Sequence, residues 1–177
     1  ASIRVSLEER VSSDIVRGVR EGIADLGVCW DAGDLAGLVA RPYRSDHLCV
    51  LVPSSHRLAK RERVEFVDTL DDEHIEILSG SMVQITLWRA AALAHRAIRH
   101  RIQVTTFDAA CRNVAAGLGI AVVPREAVDA QARPLGLALV PLRDAWAIRR
   151  FVVCFRSRET LSAAARLLAE HLAQFER

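Results

Sequence analysis

Two serine-bearing turns are the parts of this sequence best suited to bind a small anion. Ser12 and Ser13 lie at the start of one predicted helix, and the run Ser79-Gly80-Ser81 directly precedes another. A serine hydroxyl donates a hydrogen bond, and the first turn of a helix offers unpaired backbone amides and a positive dipole end. A small carboxylate is therefore a suitable ligand for these turns. Ser12, Ser79, Gly80 and Ser81 are the first candidate binding residues.

The same serines also have a purely structural interpretation. Serine is a favoured N-cap, because its side-chain oxygen accepts a hydrogen bond from an unpaired amide of the first turn. Ser12 or Ser13 would cap the first helix, and Ser81 with Gln84 fits a capping box. Capping and ligand binding both remain open for Ser12 and Ser81.

A third candidate stretch occupies residues 107–124 and reads Phe-Asp-Ala-Ala-Cys-Arg-Asn-Val-Ala-Ala-Gly-Leu-Gly-Ile-Ala-Val-Val-Pro. Asp108 is predicted to cap a short helix. Gly117 and Gly119 permit the left-handed backbone that ends the helix and turns the chain into a strand at 120–123. Four apolar residues stopped by proline are typical of a strand covered on both faces, as in a parallel sheet.

Phe107 and Asp108 could contact a ligand at the start of this helix. In that role Phe107 would form a wall of the site and Asp108 a polar contact. The alternative, which the residue types favour, is a core aromatic followed by an N-cap. Trp88 lies in a helix with apolar spacing and is predicted to be a core residue.

No residue pattern indicates catalysis, metal binding or a cofactor. The six histidines have no metal-ligand spacing, and no Ser/His/Asp or Cys/His motif is recognisable. Gly117-Leu118-Gly119 follows a helix, whereas a nucleotide-binding loop follows a strand. The four cysteines stand singly in apolar runs and are predicted to be buried free thiols. The expectation is a binding protein, and turnover of a ligand would distinguish an enzyme from it.

Hydrophobic periodicity places these candidates in an α/β chain. Strands are predicted at Ile3–Leu7, 25–30, 38–44, 48–53, 75–78, 102–105, 120–123, 137–142 and 151–155. Helices are predicted at 12–21, 82–96, after Asp108, at 125–132, and from Leu161 to Phe175. The first thirty residues would form a strand, a helix and a parallel strand.

Bulk composition excludes few classes of function. The chain has 177 residues, 51% of them hydrophobic, and its 24 Lys and Arg against 22 Asp and Glu give a net charge of +2. This balance demands neither a nucleic-acid nor a membrane partner, and no apolar run is long enough to span a bilayer. A cytoplasmic protein is expected.

Several runs resemble, in order, motifs of the effector-binding domain of LysR-type transcriptional regulators. The resemblance covers nearly the whole chain, with Arg57 in place of the family's usual proline. The runs are Gly22-Ile23-Ala24-Asp25-Leu26-Gly27-Val28, Leu51-Val52-Pro53-Ser54-Ser55-His56-Arg57-Leu58-Ala59, Val114-Ala115-Ala116-Gly117-Leu118-Gly119-Ile120-Ala121-Val122-Val123-Pro124, and Leu161-Ser162-Ala163-Ala164-Ala165-Arg166 with the earlier Trp146 and Arg150.

The resemblance implies an α/β fold with two Rossmann-like lobes of periplasmic-binding-protein type II, linked by two crossover strands. One lobe would hold residues 1–74 and 144–177, and the other residues 75–143. In the family, one more strand and helix open this domain, and a winged helix-turn-helix domain with a linker helix precedes it. Neither is expected here, so DNA contact would require that missing domain.

The resemblance also implies a function, namely sensing a small, often acidic effector. A metabolite bound between the lobes would favour one closure angle, and contacts within a homodimer or homotetramer would relay the change to DNA. The alternative is a free-standing solute-binding protein of the same fold class. The expected absence of an export signal and the unpaired cysteines argue against that alternative.

Overall fold

The computed structural model describes residues 4–174 and has an α/β architecture. Ile3 of the predicted first strand and Phe175 of the predicted last helix lie outside these residues. The strands are β1 (Gly27–Trp30), β2 (Val39–Pro53), β3 (Glu73–Ile77), β4 (Arg99–Val104), β5 (Ala121–Pro124), β6 (Leu137–Pro141) and β7 (Ile148–Phe155). The helices are α1 (Ser12–Glu21), α2 (Met82–Leu93), α3 (Phe107–Ala115), α4 (Arg125–Ala132) and α5 (Ala163–Ala173).

The chain forms two compact units. The first consists of Ala1–Ser45 and Arg149–Arg177, and the second of Asp46–Ile148. The chain passes between them within β2 and again at the start of β7. The lobe boundaries that the resemblance implies, residues 1–74 with 144–177 and residues 75–143, stay a prediction. Residues 46–74 and 144–148 belong to the second compact unit, in which the second half of β2 pairs with β5 and β6.

The sheet of the first unit is built around β7. Strand β1 pairs antiparallel with β7, in the order β1-β7-β2. The parallel crossover predicted for the first thirty residues is wrong for a separate reason, namely that its first strand is not formed by residues 4–10. Residues 4–10 form no strand, and the side chains of Val5 and Leu7 are 62% and 86% exposed. An alternating pattern becomes a strand only where a neighbour pairs with its backbone, and these residues have none in the described structure.

Helix α1 covers the sheet of the first unit. Its buried residues Val16 and Val19 pack against Cys29 of β1 and Cys154 of β7. The predicted end of the helix is confirmed, since Gly22 adopts the left-handed conformation with φ of 77°. The amphipathic pattern of this segment is therefore explained by packing within its own unit.

The second half of β2 is the centre of the second unit. Strands β5 and β6 both pair with it antiparallel. The parallel environment predicted for residues 120–123 is found at Ile120, which forms a parallel bridge with His74 of β3, and not along β5. Their predicted burial is right, because Ala121, Val122 and Val123 are at most 7% exposed. The predicted strands 38–44 and 48–53 are one strand, because the polar residues between them interrupt the hydrophobic pattern and not the extended backbone.

The parallel pair β3 and β4 completes the second unit. The backbone amide of Ile75 donates to the carbonyl of Ile120, and the amide of Ile120 donates to the carbonyl of Glu73, both at 2.8 Å. These bonds fix β3 beside the residue that precedes β5. Since β3 and β4 are parallel, their carboxyl ends lie at one edge, where α2 and α3 begin.

Candidate functional site

The edge formed by the carboxyl ends of β3 and β4 holds most of the candidate residues. The amide of Leu78, directly after β3, donates to the carbonyl of Val104, the last residue of β4, at 3.1 Å. The Ser79-Gly80-Ser81 turn and the Phe107-Asp108 pair follow these two strand ends. In open α/β sheets, ligands bind beyond the carboxyl ends of the strands, next to helix N-termini.

The turn between β3 and α2 has an unusual backbone. Leu78 and Gly80 have φ values of 52° and 78°, in the left-handed region that a leucine seldom adopts. The amide of Ser81 donates to the carbonyl of Leu78 at 3.0 Å, which closes the turn. Ser79 and Gly80 are exposed at its tip, and Ser81 is half-buried.

Ser81 is the N-cap of α2, as predicted. Its Oγ accepts a hydrogen bond from the amide of Gln84 at 3.2 Å. The second half of the predicted capping box is different, because Gln84 Oε1 accepts from the amide of Gly80, at 2.5 Å, and not from that of Ser81. The hydroxyl hydrogen of Ser81 can still be donated to a ligand.

A hydrogen-bonded network of four side chains lies behind the turn. Gln84, only 6% exposed, donates from Nε2 to Oε1 of Glu76. The other Glu76 oxygen lies 3.3 Å from Nδ1 of His100, and the indole Nε1 of Trp88 donates to His100 Nε2 at 3.2 Å. The prediction that Trp88 is a core residue is wrong, because 51% of its side chain is exposed.

Sequence inspection did not identify this network, although one signal for it was present. His74 and Glu76 alternate with Ile75 and Ile77, which places two polar side chains on one face of β3. The partners of Glu76 come from α2 and β4, and their spacing along the chain shows no pattern.

The network lines a small cavity in the second unit. Its apolar wall includes Val83, Leu87, Ile98 and Val122, and about 30 Å³ of its interior is wide enough for a water molecule. This space suits one or two waters and is far smaller than an organic ligand needs. His74 also lines it, and burial lowers the pKa of that imidazole, whose Nε2 lies 3.0 Å from the carbonyl of Thr69.

The start of α3 differs from its prediction. Thr106 is the N-cap, with Oγ1 accepting from the amide of Ala109 at 3.2 Å, so the assignment of Asp108 as cap is wrong. Asp108 is 56% exposed and accepts a hydrogen bond from Arg112 Nε at 2.9 Å, which raises the pKa of Arg112. Phe107 is half-buried and packs against the core. Asp108 can only accept hydrogen bonds while ionised, so it would contact a hydroxyl or amine of a ligand.

Ser12 lies in the first unit, apart from the other candidates in the chain. It is the first residue of α1, and Val11 is the N-cap without a side-chain hydrogen bond, so neither Ser12 nor Ser13 is the predicted cap. The Ser12 hydroxyl oxygen accepts a hydrogen bond from the amide of Trp30 at 3.3 Å. Its hydrogen can still be donated.

The other chemistry-bearing residues have structural surroundings. All four cysteines are free and buried, which confirms the prediction, and Cys29 Sγ lies 3.8 Å from Cys154 Sγ. Within residues 4–174, no three side chains of His, Cys, Asp or Glu come together as possible metal ligands. In the same range no helix combines the length and hydrophobicity needed to cross a bilayer.

The comparison with protein families gives one match over the whole chain. The family model described as LysR substrate binding domain matches residues 1–177. No curated protein sequence matches at a significant level.

Solved structures with this fold are numerous and distant in sequence. The regulatory domain of CcmR from Synechocystis PCC6803, in complex with 2-PG, has a TM-score of 0.85 at 18% identity, covering 98% of this chain and 84% of that one. The effector-binding domain of QuiR in complex with shikimate has a TM-score of 0.79 at 17% identity, covering 94% and 78%. Full-length BenM has a TM-score of 0.78 at 21% identity, and the match covers 97% of this chain and 56% of BenM.

Proposed function

The chain belongs to the LysR substrate-binding domain family, with its periplasmic-binding-protein type II fold, and from this premise we propose that it senses a small acidic metabolite for a bacterial LysR-type transcriptional regulator. The regulator would act in the cytoplasm. The observation that carries the proposal is the edge of the second unit, where two parallel strands end and α2 and α3 begin side by side. Shikimate, the ligand of the QuiR domain, is a carboxylate and fits this chemistry.

The proposed anion contact is the turn before α2. The hydroxyls of Ser79 and Ser81 would donate to a carboxylate, and the positive dipole end of α2 would stabilise its charge. Phe107 and Asp108 would contact the remainder of the ligand, with Asp108 accepting from a hydroxyl. Within the first unit, the Ser12 hydroxyl is a further proposed donor to an effector.

The role of the domain in regulation is to convert binding into a change in the DNA-bound assembly. The chain spans only 56% of full-length BenM, so DNA contact would belong to another part of the protein. Effector binding would shift the population of two conformations of a homodimer or homotetramer. A coupling free energy of about 1–3 kcal/mol between effector and DNA binding is sufficient for such control.

Two substitutions at Ser81 test the anion contact without removing the helix cap. Ser81→Thr keeps both the cap and a hydroxyl donor, and Ser81→Asp keeps the cap but places a negative charge where the carboxylate would bind. Thermal unfolding is measured with a panel of small carboxylates, and a ligand at a hundredfold excess over Kd raises the unfolding free energy by about 2.7 kcal/mol.

The two variants should differ in binding and agree in stability. Both should unfold near the wild-type temperature without ligand, and only Ser81→Thr should be stabilised by the acid that stabilises the wild type. Equal stabilisation of Ser81→Asp would exclude the turn as the anion contact. Recovery of chemically altered ligand would favour an enzyme over a sensor.

A further inference from the structure

We propose that Glu76, held behind the Ser79-Gly80-Ser81 turn by Gln84, determines which charge class of ligand the turn accepts. This inference rests on the proposed function of the turn as an anion contact and adds selectivity for singly charged acids. Its basis is a continuous hydrogen-bonded path from the amide of Gly80 through Gln84 and Glu76 to His100.

Gln84 is a positioning residue for the turn. Its Oε1 accepts from the Gly80 amide while its Nε2 donates to Glu76, so one side-chain amide meets both demands. A reversed amide would direct hydrogens at a backbone N–H and lone pairs at a carboxylate. Gln84 is only 6% exposed, so water does not readily replace either bond. The Gly80 amide is thus engaged by Gln84, which leaves the serine hydroxyls for a ligand.

Glu76 is the acidic member of this network, and its neighbour His100 is the one other ionisable side chain in it. The Trp88 indole donates to His100 Nε2, so the imidazole hydrogen that faces Glu76 is the one on Nδ1. The other histidine lining the cavity, His74, is held by the carbonyl of Thr69. A carboxylate that is 13% exposed therefore lies two hydrogen bonds from the proposed anion contact.

A partly buried negative charge at this short range discriminates by ligand charge. It repels every negative charge that approaches the turn, and a second charge on the ligand approximately doubles the repulsion. The first charge is offset by the serine donors and the dipole of α2. We expect the turn to accept a monocarboxylate and to disfavour a dianion by a factor on the order of ten, after screening by solvent and salt.

Two matched variants change the charge and keep a hydrogen bond at each step from Gly80 to position 76. Glu76→Gln removes the charge, and its amide oxygen can still accept from Gln84 Nε2. The double variant Gln84→Glu with Glu76→Gln moves the carboxylate next to Gly80, where it can accept from the Gly80 amide and from the new amide at position 76. The double variant reverses the donor between positions 84 and 76, and in Glu76→Gln the new amide nitrogen takes the place of the oxygen that faces His100 Nδ1.

The probes are acetate and malonate, titrated at constant ionic strength and pH 7.5. Binding is followed by the NMR shifts of the Ser79 and Ser81 backbone amides, and thermal unfolding verifies that each variant is folded. The ratio of the malonate Kd to the acetate Kd should decrease about tenfold in Glu76→Gln and increase by a similar factor in the double variant. Glu76→Gln decides the outcome alone if the double variant fails to fold.

The possible failures are distinguishable. In the first, the Ser79 and Ser81 amide signals shift on titration, but the ratio of the malonate Kd to the acetate Kd is the same in wild type and Glu76→Gln. This result would overturn the role of Glu76 and leave the anion contact intact. Amides that respond to neither acid in the wild type would overturn the anion contact and this inference with it.

Discussion

Replacing Gly119 by alanine should displace β3 and weaken its hydrogen bonds with Ile120. A Cβ at this position would lie 2.6 Å from the carbonyl oxygen of Glu73 and 3.4 Å from the Ile75 side chain. The first distance is far inside van der Waals contact, and its partner is backbone that cannot rotate away. Strand β3 would have to move, and it carries the Ser79-Gly80-Ser81 turn at its other end.

The expected cost follows from the contacts that this movement disturbs. The two 2.8 Å hydrogen bonds that Ile120 makes with Glu73 and Ile75 contribute about 0.5–1.5 kcal/mol each. The φ of Gly119 is 151°, a conformation that costs alanine a further 1–3 kcal/mol or so. We expect Gly119→Ala to lower the free energy of unfolding by about 2–6 kcal/mol.

Gly117→Ala is the matched control, two residues away in the same turn. Gly117 also has a positive φ, of 71°, but a Cβ there would meet nothing within 4 Å. Only the left-handed penalty of about 1–2 kcal/mol remains. Urea denaturation of both variants measures the difference. Equal losses would refute the argument, because backbone conformation alone would then explain the need for glycine.

Three further predictions concern the cap of α3, the buried histidine and the thiols. Thr106→Ala should cost about 1 kcal/mol by urea denaturation and Asp108→Asn at most about 0.5 kcal/mol, and the reverse order would contradict Thr106 as the cap. Burial lowers the pKa of His74, so below about pH 6.5 the unfolded state binds more protons and the unfolding free energy should fall towards pH 5 or so. His74→Gln should weaken that pH dependence, and an unchanged dependence would exclude His74 as its source. Burial raises the pKa of Cys49 to about 11, so a disulfide reagent at pH 8 or so should label this thiol only at the rate of unfolding; rapid labelling of the native protein would contradict its burial.

Local features were predictable where neighbouring residues decide them. Ser81 caps α2 and Gly22 ends α1 because each acts on a helix terminus within four residues of itself. The cap of α3 was not predictable in the same way. Both Thr106 and Asp108 can cap a helix. Which of them does so depends on the residue at which β4 ends, and the pairing of β4 with β3 determines that end.

The candidate site was predictable only in part. The turn at Ser79 to Ser81 is visible in the sequence, because serine and glycine before a helical pattern mark an N-terminus. The hydrogen bond from Gln84 to Glu76 could not be predicted from the sequence, because Glu76 lies on a strand and contacts α2 only after the second unit has folded. Ser12 is similar, because its hydroxyl bonds to Trp30 on β1 and not to its own helix.

The sequence by itself determined the types of most elements, the burial of residues 120–123 and the family to which the chain belongs, because periodicity and motif order are properties of neighbouring residues. Only the tertiary structure decided that β5 runs antiparallel to β2 and that residues 4–10 form no strand. It also decided that a buried carboxylate lies behind the serine turn. These outcomes depend on which distant backbone or side chain becomes a hydrogen-bond partner, and the order of residues along the chain does not specify that choice locally.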